Sequence, residues 1–198
     1  MRKVVFGGAN SLDNYFARKD HSVDWLMWSD EAGEIMKDMW SRFDVMIMGR
    51  KTWEASAANF SEAELESAKE MSSGMRTYIF SRTKPAGRAV GGGEVVNTDV
   101  ADFVREIKQQ SGKDIMRMGG GEIGSALLDA GLVDEIGFNI HPVLLGSGIP
   151  IFHVMSRQTD LELVESRVFK NGCVYVLYRV KHDPGPKRKV RRPKRQSL

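Results

Sequence analysis

Gly119-Gly120-Gly121-Glu122-Ile123-Gly124 satisfies G-x-G-x-x-G and stands between an apolar run and a helix-like segment. A helix start offers unpaired N–H groups and partial positive charge, and glycines let a pyrophosphate approach the backbone. Taken alone, the pattern is equally a tight strand-to-helix turn. It is not a standard dinucleotide fingerprint, because it lies late in the chain and the next acids, Asp134 and Glu135, come too soon for the usual ribose contact. Met48-Gly49-Arg50-Lys51-Thr52-Trp53-Glu54 is a second junction of this kind. It opens on two cations, which the helix dipole disfavours there, so their placement suggests a docked anion; an exposed basic turn is the alternative. Tyr78-Ile79-Phe80-Ser81-Arg82-Thr83 puts hydroxyls and a guanidinium at a third strand end, where open sheets bind ligands. Together the three ends predict one phosphate-rich ligand. In Asn10-Ser11-Leu12-Asp13-Asn14-Tyr15-Phe16-Ala17, Asp13 and Asn14 fit turn chemistry alone, and a loop closing over a ligand is the functional reading.

These segments need elements to position them. Lys3–Gly7 reads as a first strand and Gly8–Met27 mostly as a long loop, a length that is often functional. Ser29 caps a helix from Asp30 to Phe43 whose apolar residues recur every three or four positions. A strand at Val45–Met48 and a short helix at Arg50–Ala57 follow. Ser61 with Glu64 forms a capping box for a helix ending near Gly74. Thr77–Phe80 is a strand, Pro85–Gly93 a glycine-rich turn region, and Val95–Val96 a weak strand. Asp99 or Thr98 caps a helix to Ser111, with Gly112 as its stop. Ile115–Met118 is a strand, Glu122–Ala130 a helix closed by Gly131, Glu135–His141 a strand, and Pro142–Pro150 a turn-rich loop. Leu161–Val168 and Cys173–Val180 alternate and join through Lys170-Asn171-Gly172, an Asn-Gly hairpin signal. The fold class is therefore α/β, a sandwich around a mostly parallel mixed sheet with an antiparallel C-terminal hairpin.

Composition narrows the partners. The 198 residues carry a net charge of +3, but seven cations and no acid fall in residues 184–198, so 3 − 7 leaves −4 for residues 1–183. The basic character belongs to a proline-containing tail expected to be disordered, and residues 1–183 form one domain. No apolar run approaches the ~20 residues of a membrane span, and the apolar part of the N-terminus is too short for a signal peptide. The one cysteine, Cys173, precludes an internal disulfide and a cysteine-cluster metal site, and fits a reducing cytoplasm. The four histidines lack ligand spacing, so no metal is implied. The eleven methionines read as core gap-fillers; Trp25 and Trp28 are equally pocket or packing residues.

The quoted segments, with Ile115-Met116-Arg117-Met118 leading into the glycine run, Ala126-Leu127-Leu128-Asp129-Ala130-Gly131-Leu132-Val133-Asp134-Glu135, and His141-Pro142-Val143-Leu144-Leu145-Gly146-Ser147-Gly148, resemble the dihydrofolate reductase-like superfamily. The likeness spans roughly residues 2–181. It is nearer to the reductase domain of bacterial riboflavin biosynthesis, part of a bifunctional deaminase-reductase, than to folate reductases. It implies a dihydrofolate reductase-like three-layer sandwich and an NADPH-dependent reductase. The first loop would cover the nicotinamide, placing Ala9, Asp13 and Phe16 near it. The turn from Gly49 to Thr52 would bind the adenosine side, with Arg50 on the 2′-phosphate, joined there by Ser81 and Arg82, and Thr52 on the phosphate bridge; guanidinium forks suit phosphate. Gly119, Gly120, Gly121, Glu122 and Ile123 would hold the pyrophosphate, with a cis peptide in the glycine run. Asp24 and Trp25 would contact substrate, and Asp13, Asp24 and Trp25 are the catalytic candidates.

A folate reductase carries a proton-relaying acid near the first helix, where this chain has Asp24, Asp30 and Glu31. It also carries an arginine for the glutamate tail, where this chain has Met75 with Arg76 beside it. The expected function is hydride transfer from NADPH to a heterocyclic or ribosylaminopyrimidine-type substrate, as in a 5-amino-6-(5-phosphoribosylamino)uracil reductase. Dihydrofolate reduction is the alternative. A non-catalytic binding protein whose tail holds polyanions is the second alternative. Nucleic acid enters only through that tail, which has no aromatic residue for base stacking. Relatives of this type often dimerise through terminal strands, so a homodimer is expected.

Overall fold

The computed structural model describes residues 1–59, 74–89 and 92–182. The basic tail and the Ser61–Glu64 capping box lie outside the described residues. A nine-stranded sheet runs in the order β10-β11-β8-β1-β7-β3-β4-β6-β5. Its central strands are β8 (Glu135–His141), β1 (Val4–Ser11), β7 (Asp114–Met118), β3 (Phe43–Gly49), β4 (Arg76–Phe80) and β6 (Glu94–Val96), all parallel. At one side the antiparallel hairpin β10 (Asp160–Val168) and β11 (Val174–Lys181) closes the sheet, and at the other β5 (Gly87–Arg88) runs antiparallel to β6.

The central strands read as unbroken apolar runs because both their faces are covered. On one face Val4, Phe6, Val45, Ile47 and Ile115 join one cluster with Val104 and Ile107 of α3 (Val100–Gln109) and Leu127 and Leu128 of α4 (Gly121–Asp129). On the other, α1 (Asp30–Trp40) crosses the sheet: Ala32 packs with Tyr175 and Leu177, and Met39 with Phe43 and Met116. Trp53 of α2 (Arg50–Asn59) joins Met46, Met48 and Ile79 on that same face. The three layers are those of the dihydrofolate reductase-like sandwich.

Local signals placed most element ends. Ser29 accepts from the Ala32 amide, and Asp99 from those of Ala101 and Asp102. Gly172 sits at φ +86° in the hairpin turn. Differences arise where pairing is non-local. Strand β1 extends to Ser11 because Gly8 to Ser11 pair with Phe138 to His141. The region expected to be loop from Gly8 to Met27 also contains β2 (Tyr15–Ala17), which pairs with β9 (Ile149–Pro150) in the other loop. Helix α1 stops at Trp40 rather than Phe43, since buried Phe43 already begins β3.

The N-terminal ends of the parallel strands carry an ionic belt. Lys3 and Arg42 bind Glu135 at 2.6 and 2.9 Å, Arg42 also binds Asp114, Arg2 binds Asp44, and Lys108 binds Asp134. Burial of Glu135 raises its pKa, but hydrogen bonds from Lys3 and Arg42 more than offset this and hold it below the ordinary range. Asp134 and Glu135 therefore serve the end of the sheet opposite the glycine run.

Candidate cofactor and substrate cleft

The C-terminal ends of the parallel strands open into a cleft of about 1840 Å³. A pocket for one small ligand holds roughly 300–1,000 Å³, so this cleft has room for a dinucleotide and a second molecule beside it.

Two helix starts meet in it. Helix α2 begins directly after Gly49 at the end of β3, and α4 begins after the Gly119–Gly120 turn at the end of β7. Gly119 has φ +94°, and a Cβ there would stand 2.2 Å from Thr52 Oγ1. Only glycine permits both that conformation and that approach. Gly120, the N-cap residue of α4, brings no side-chain cap, which leaves the first amides of the helix to other partners. Among the described residues no peptide bond is cis; the glycine run, where a cis bond was expected, turns through Gly119 instead.

Beneath this turn lies Arg117, which is 1% exposed. Its two terminal nitrogens donate to the carbonyls of Gly119 and Gly120, and its guanidinium lies 4.2 Å from the centre of the Phe6 ring. The inward pull on these carbonyls fixes the shape of the turn. Burial pushes the pKa of Arg117 down to about 9, which leaves it cationic at neutral pH. The cradle thus has a positive charge at its back. Sequence reasoning assigned Arg117 no role; a lone cation inside a buried apolar strand was the available signal.

The twelve expected cofactor residues, Ala9, Phe16, Gly49, Arg50, Thr52, Ser81, Arg82 and Gly119 to Ile123, all line this cleft. Their states differ. Arg50 donates to Glu54 at 2.6 Å, and Lys84 approaches Glu54 at 3.4 Å. The Arg50 hydrogen bond comes first in holding the Glu54 carboxyl below its ordinary range. Arg82 is largely exposed and stands 3.5 Å from Glu122. The Ser81 hydroxyl accepts from the amides of Thr83 and Lys84, so it shapes the turn after β4. Phe16 anchors the first loop by packing on Phe138 and Phe6.

The three catalytic candidates lie elsewhere. Asp13 accepts from the Ser11 hydroxyl and from the amides of Leu145 and Gly146, tying the first loop to the loop before β9. The Ser11 bond leads in lowering its pKa. Asp24 is exposed and paired with Arg18 at 2.7 Å. Trp25 is buried edge-on against His141, with ring centres 5.3 Å apart. None of the three is among the residues lining the cleft.

Other groups line the cleft on the side of β8 and β11: Asn139, His141 and Tyr175. Gly137 leaves space for the Tyr175 ring, whose hydroxyl would lie 3.2 Å from a Cβ at that position. His141 Nδ1 accepts from the Met27 amide, and burial pushes its pKa down, so it is neutral at pH 7. The methionines are core residues as expected, Met46, Met48 and Met116 being buried with Met39, Met75 and Met118 packed on them, and these six with Met27 also line the cleft, because alternate residues of β3 and β7 face α1 across it. Trp28 lines it as well.

Comparison with known proteins places this cleft in context. The RibD C-terminal domain matches residues 2–175. The Bacillus subtilis protein YyaP, itself uncharacterized, is 29% identical over 183 residues, covering 89% of this chain and 94% of YyaP. A putative riboflavin biosynthesis protein from Shewanella sp. PV-4 superposes with a TM-score of 0.72 at 22% identity, covering 91% of this chain and 99% of that one. The dihydrofolate reductase of Enterococcus faecalis, solved with NADP(H), superposes with a TM-score of 0.62 at 14% identity, covering 90% and 96%.

Proposed function

The chain belongs to the RibD C-terminal domain family, and from that premise we propose that it is an NADPH-dependent reductase acting on a heterocyclic substrate. The observation that carries this reading is the meeting of two glycine-marked helix starts, at Arg50 and Gly121, in one cleft with room for two ligands. The cradle at Gly119 has no space for a Cβ, and Arg117 stands behind it, which fits a pyrophosphate.

In this reading Gly119 to Ile123 and Thr52 hold the phosphate bridge, and Arg50, Ser81 and Arg82 hold the 2′-phosphate. Bound NADPH supplies the hydride; position and electrostatics come from the protein. Ala9 and Phe16 border the nicotinamide site. The β2–β9 pair, clamped by Asp13, covers the strand ends and limits water. Asn139 and His141 orient the acceptor ring from β8. The Asp24 and Trp25 roles become indirect: Trp25 supports His141, and the Asp24–Arg18 pair steadies the loop ahead of α1.

Direct titration with NADPH and NADH, followed by NADPH consumption with an aminopyrimidine ribose phosphate, its nucleoside and dihydrofolate, tests the proposal. Micromolar NADPH binding with turnover of one of these is expected. Absence of NADPH binding refutes it.

A further inference from the structure

Arg117 lies between buried Met116 and the glycine run, and its charge has no carboxylate beside it among the described residues. Its bonds go to the carbonyls of Gly119 and Gly120, its guanidinium rests on the Phe6 ring, and Nε has no partner there. Gly124, the last glycine of the run, makes room for this arrangement. A Cβ at Gly124 would stand 2.8 Å from the Phe6 ring and 3.2 Å from the Arg117 guanidinium carbon. A buried cation without an acid is unfavourable, and an anion close by offsets that. The peptide planes show where such an anion would lie. A trans peptide points its N–H opposite its C=O, and no described peptide is cis. The Gly119 carbonyl shares a plane with the Gly120 amide, and the Gly120 carbonyl with the Gly121 amide. Drawing both carbonyls back to Arg117 therefore aims both amides the other way, toward the cleft that the three glycines line and Arg117 does not. They are among the amides that a helix start leaves unpaired, and successive N–H groups of this kind form an anion-binding concavity.

We propose that Arg117 is a positioning residue for the cofactor's pyrophosphate: without touching the ligand, it aims the Gly120 and Gly121 amides at the phosphate oxygens and balances their charge from behind the turn. The proposal rests on the reductase reading and deepens it, because it divides the cofactor's phosphates between two devices. Arg50 reads the 2′-phosphate and so separates NADPH from NADH. Arg117 serves the bridge that both cofactors share.

The test uses the full chain. NADPH and NADH binding to wild type is measured first by fluorescence; absence of NADPH binding sinks the reductase reading and this proposal with it. Arg117→Met then removes the charge and both donors at similar length. It is expected to weaken NADPH and NADH alike, by about tenfold or more, and to leave adenosine 2′-phosphate within a few-fold. Cofactor affinity within about threefold of wild type in the folded variant overturns the role of Arg117 while leaving the reductase reading standing. So does an equal loss for adenosine 2′-phosphate, the mark of a general loosening of the domain. Wild type supplies a second measurement that does not depend on the variant folding. With isotope-labelled glycine, the Gly120 and Gly121 amide proton signals are expected to move downfield on adding NADP⁺ and to stay in place with adenosine 2′-phosphate. Unmoved amides in a protein that binds NADP⁺ overturn the proposal.

Discussion

Arg50 is held at the mouth of the cleft by a carboxylate that a phosphate could replace. It opens α2 at the end where a cation is disfavoured, and Glu54 one turn later holds it in place at 2.6 Å. A phosphate arriving there exchanges one anionic partner for another of higher charge. Arg50→Ala is therefore expected to weaken NADPH about tenfold or more while altering NADH little, as read by parallel titrations. Equal losses for both cofactors would remove the 2′-phosphate contact. His141 provides a second test. Burial lowers its pKa in the folded state, whereas the unfolded imidazole titrates near 6.5. As pH falls through that value the unfolded chain takes up the proton first, so this residue's contribution to stability is present above that pH and is lost on acidification. The melting-temperature advantage of wild type over His141→Gln should accordingly shrink between pH 7.5 and 5. A gap independent of pH would show that His141 is not held neutral by the fold.

At the scale of elements, the decisive event is the convergence of α2 and α4. Each helix is short, and neither start binds phosphate strongly alone. The β7–β3 pairing sets their N-termini side by side, and the Thr52–Gly119 contact fixes the spacing. Gly119→Ala would force a strained backbone and drive a methyl into Thr52. The expected cost is about 1–3 kcal/mol, seen as a lowered melting temperature, with a larger loss of NADPH affinity than Arg50→Ala causes. Retained affinity would mean that the turn does not shape the phosphate site. Elements were readable wherever their signals are local. The Ser29 and Asp99 caps and the Asn171-Gly172 turn act within four residues of themselves. The β2–β9 pair was not readable, because Tyr15 and Pro150 meet only after the whole sheet is assembled. For the same reason Asp13 reads as a turn or loop-closing residue until Leu145 and Gly146 arrive to be bound.

For the whole molecule, the parallel sheet is covered on both faces but not at its edge. Strand β10 is an edge strand whose Leu163 and Val168 are 55% and 76% exposed, beside Leu161 and Val164. An exposed apolar edge strand pairs readily with another strand, and a two-fold axis between copies would satisfy both edges at once. We expect a homodimer by light scattering, converted to monomer by Leu163→Lys with Val168→Lys. A wild-type monomer at micromolar concentration would refute this.

The sequence by itself determined the α/β class, the order of most elements, the three strand ends that line the cleft and the acidic character of residues 1–183. These are set by periodicity, capping and composition, which operate over a few residues. The structure alone decided what surrounds them. It turned Asp24 outward to Arg18, set Trp25 behind His141, buried Arg117 under the glycine turn and lined part of the cleft with methionines. Each of these depends on which face of a strand a residue occupies and what crosses that face. Both follow from non-local pairing, such as β1 between β7 and β8, which no local pattern encodes.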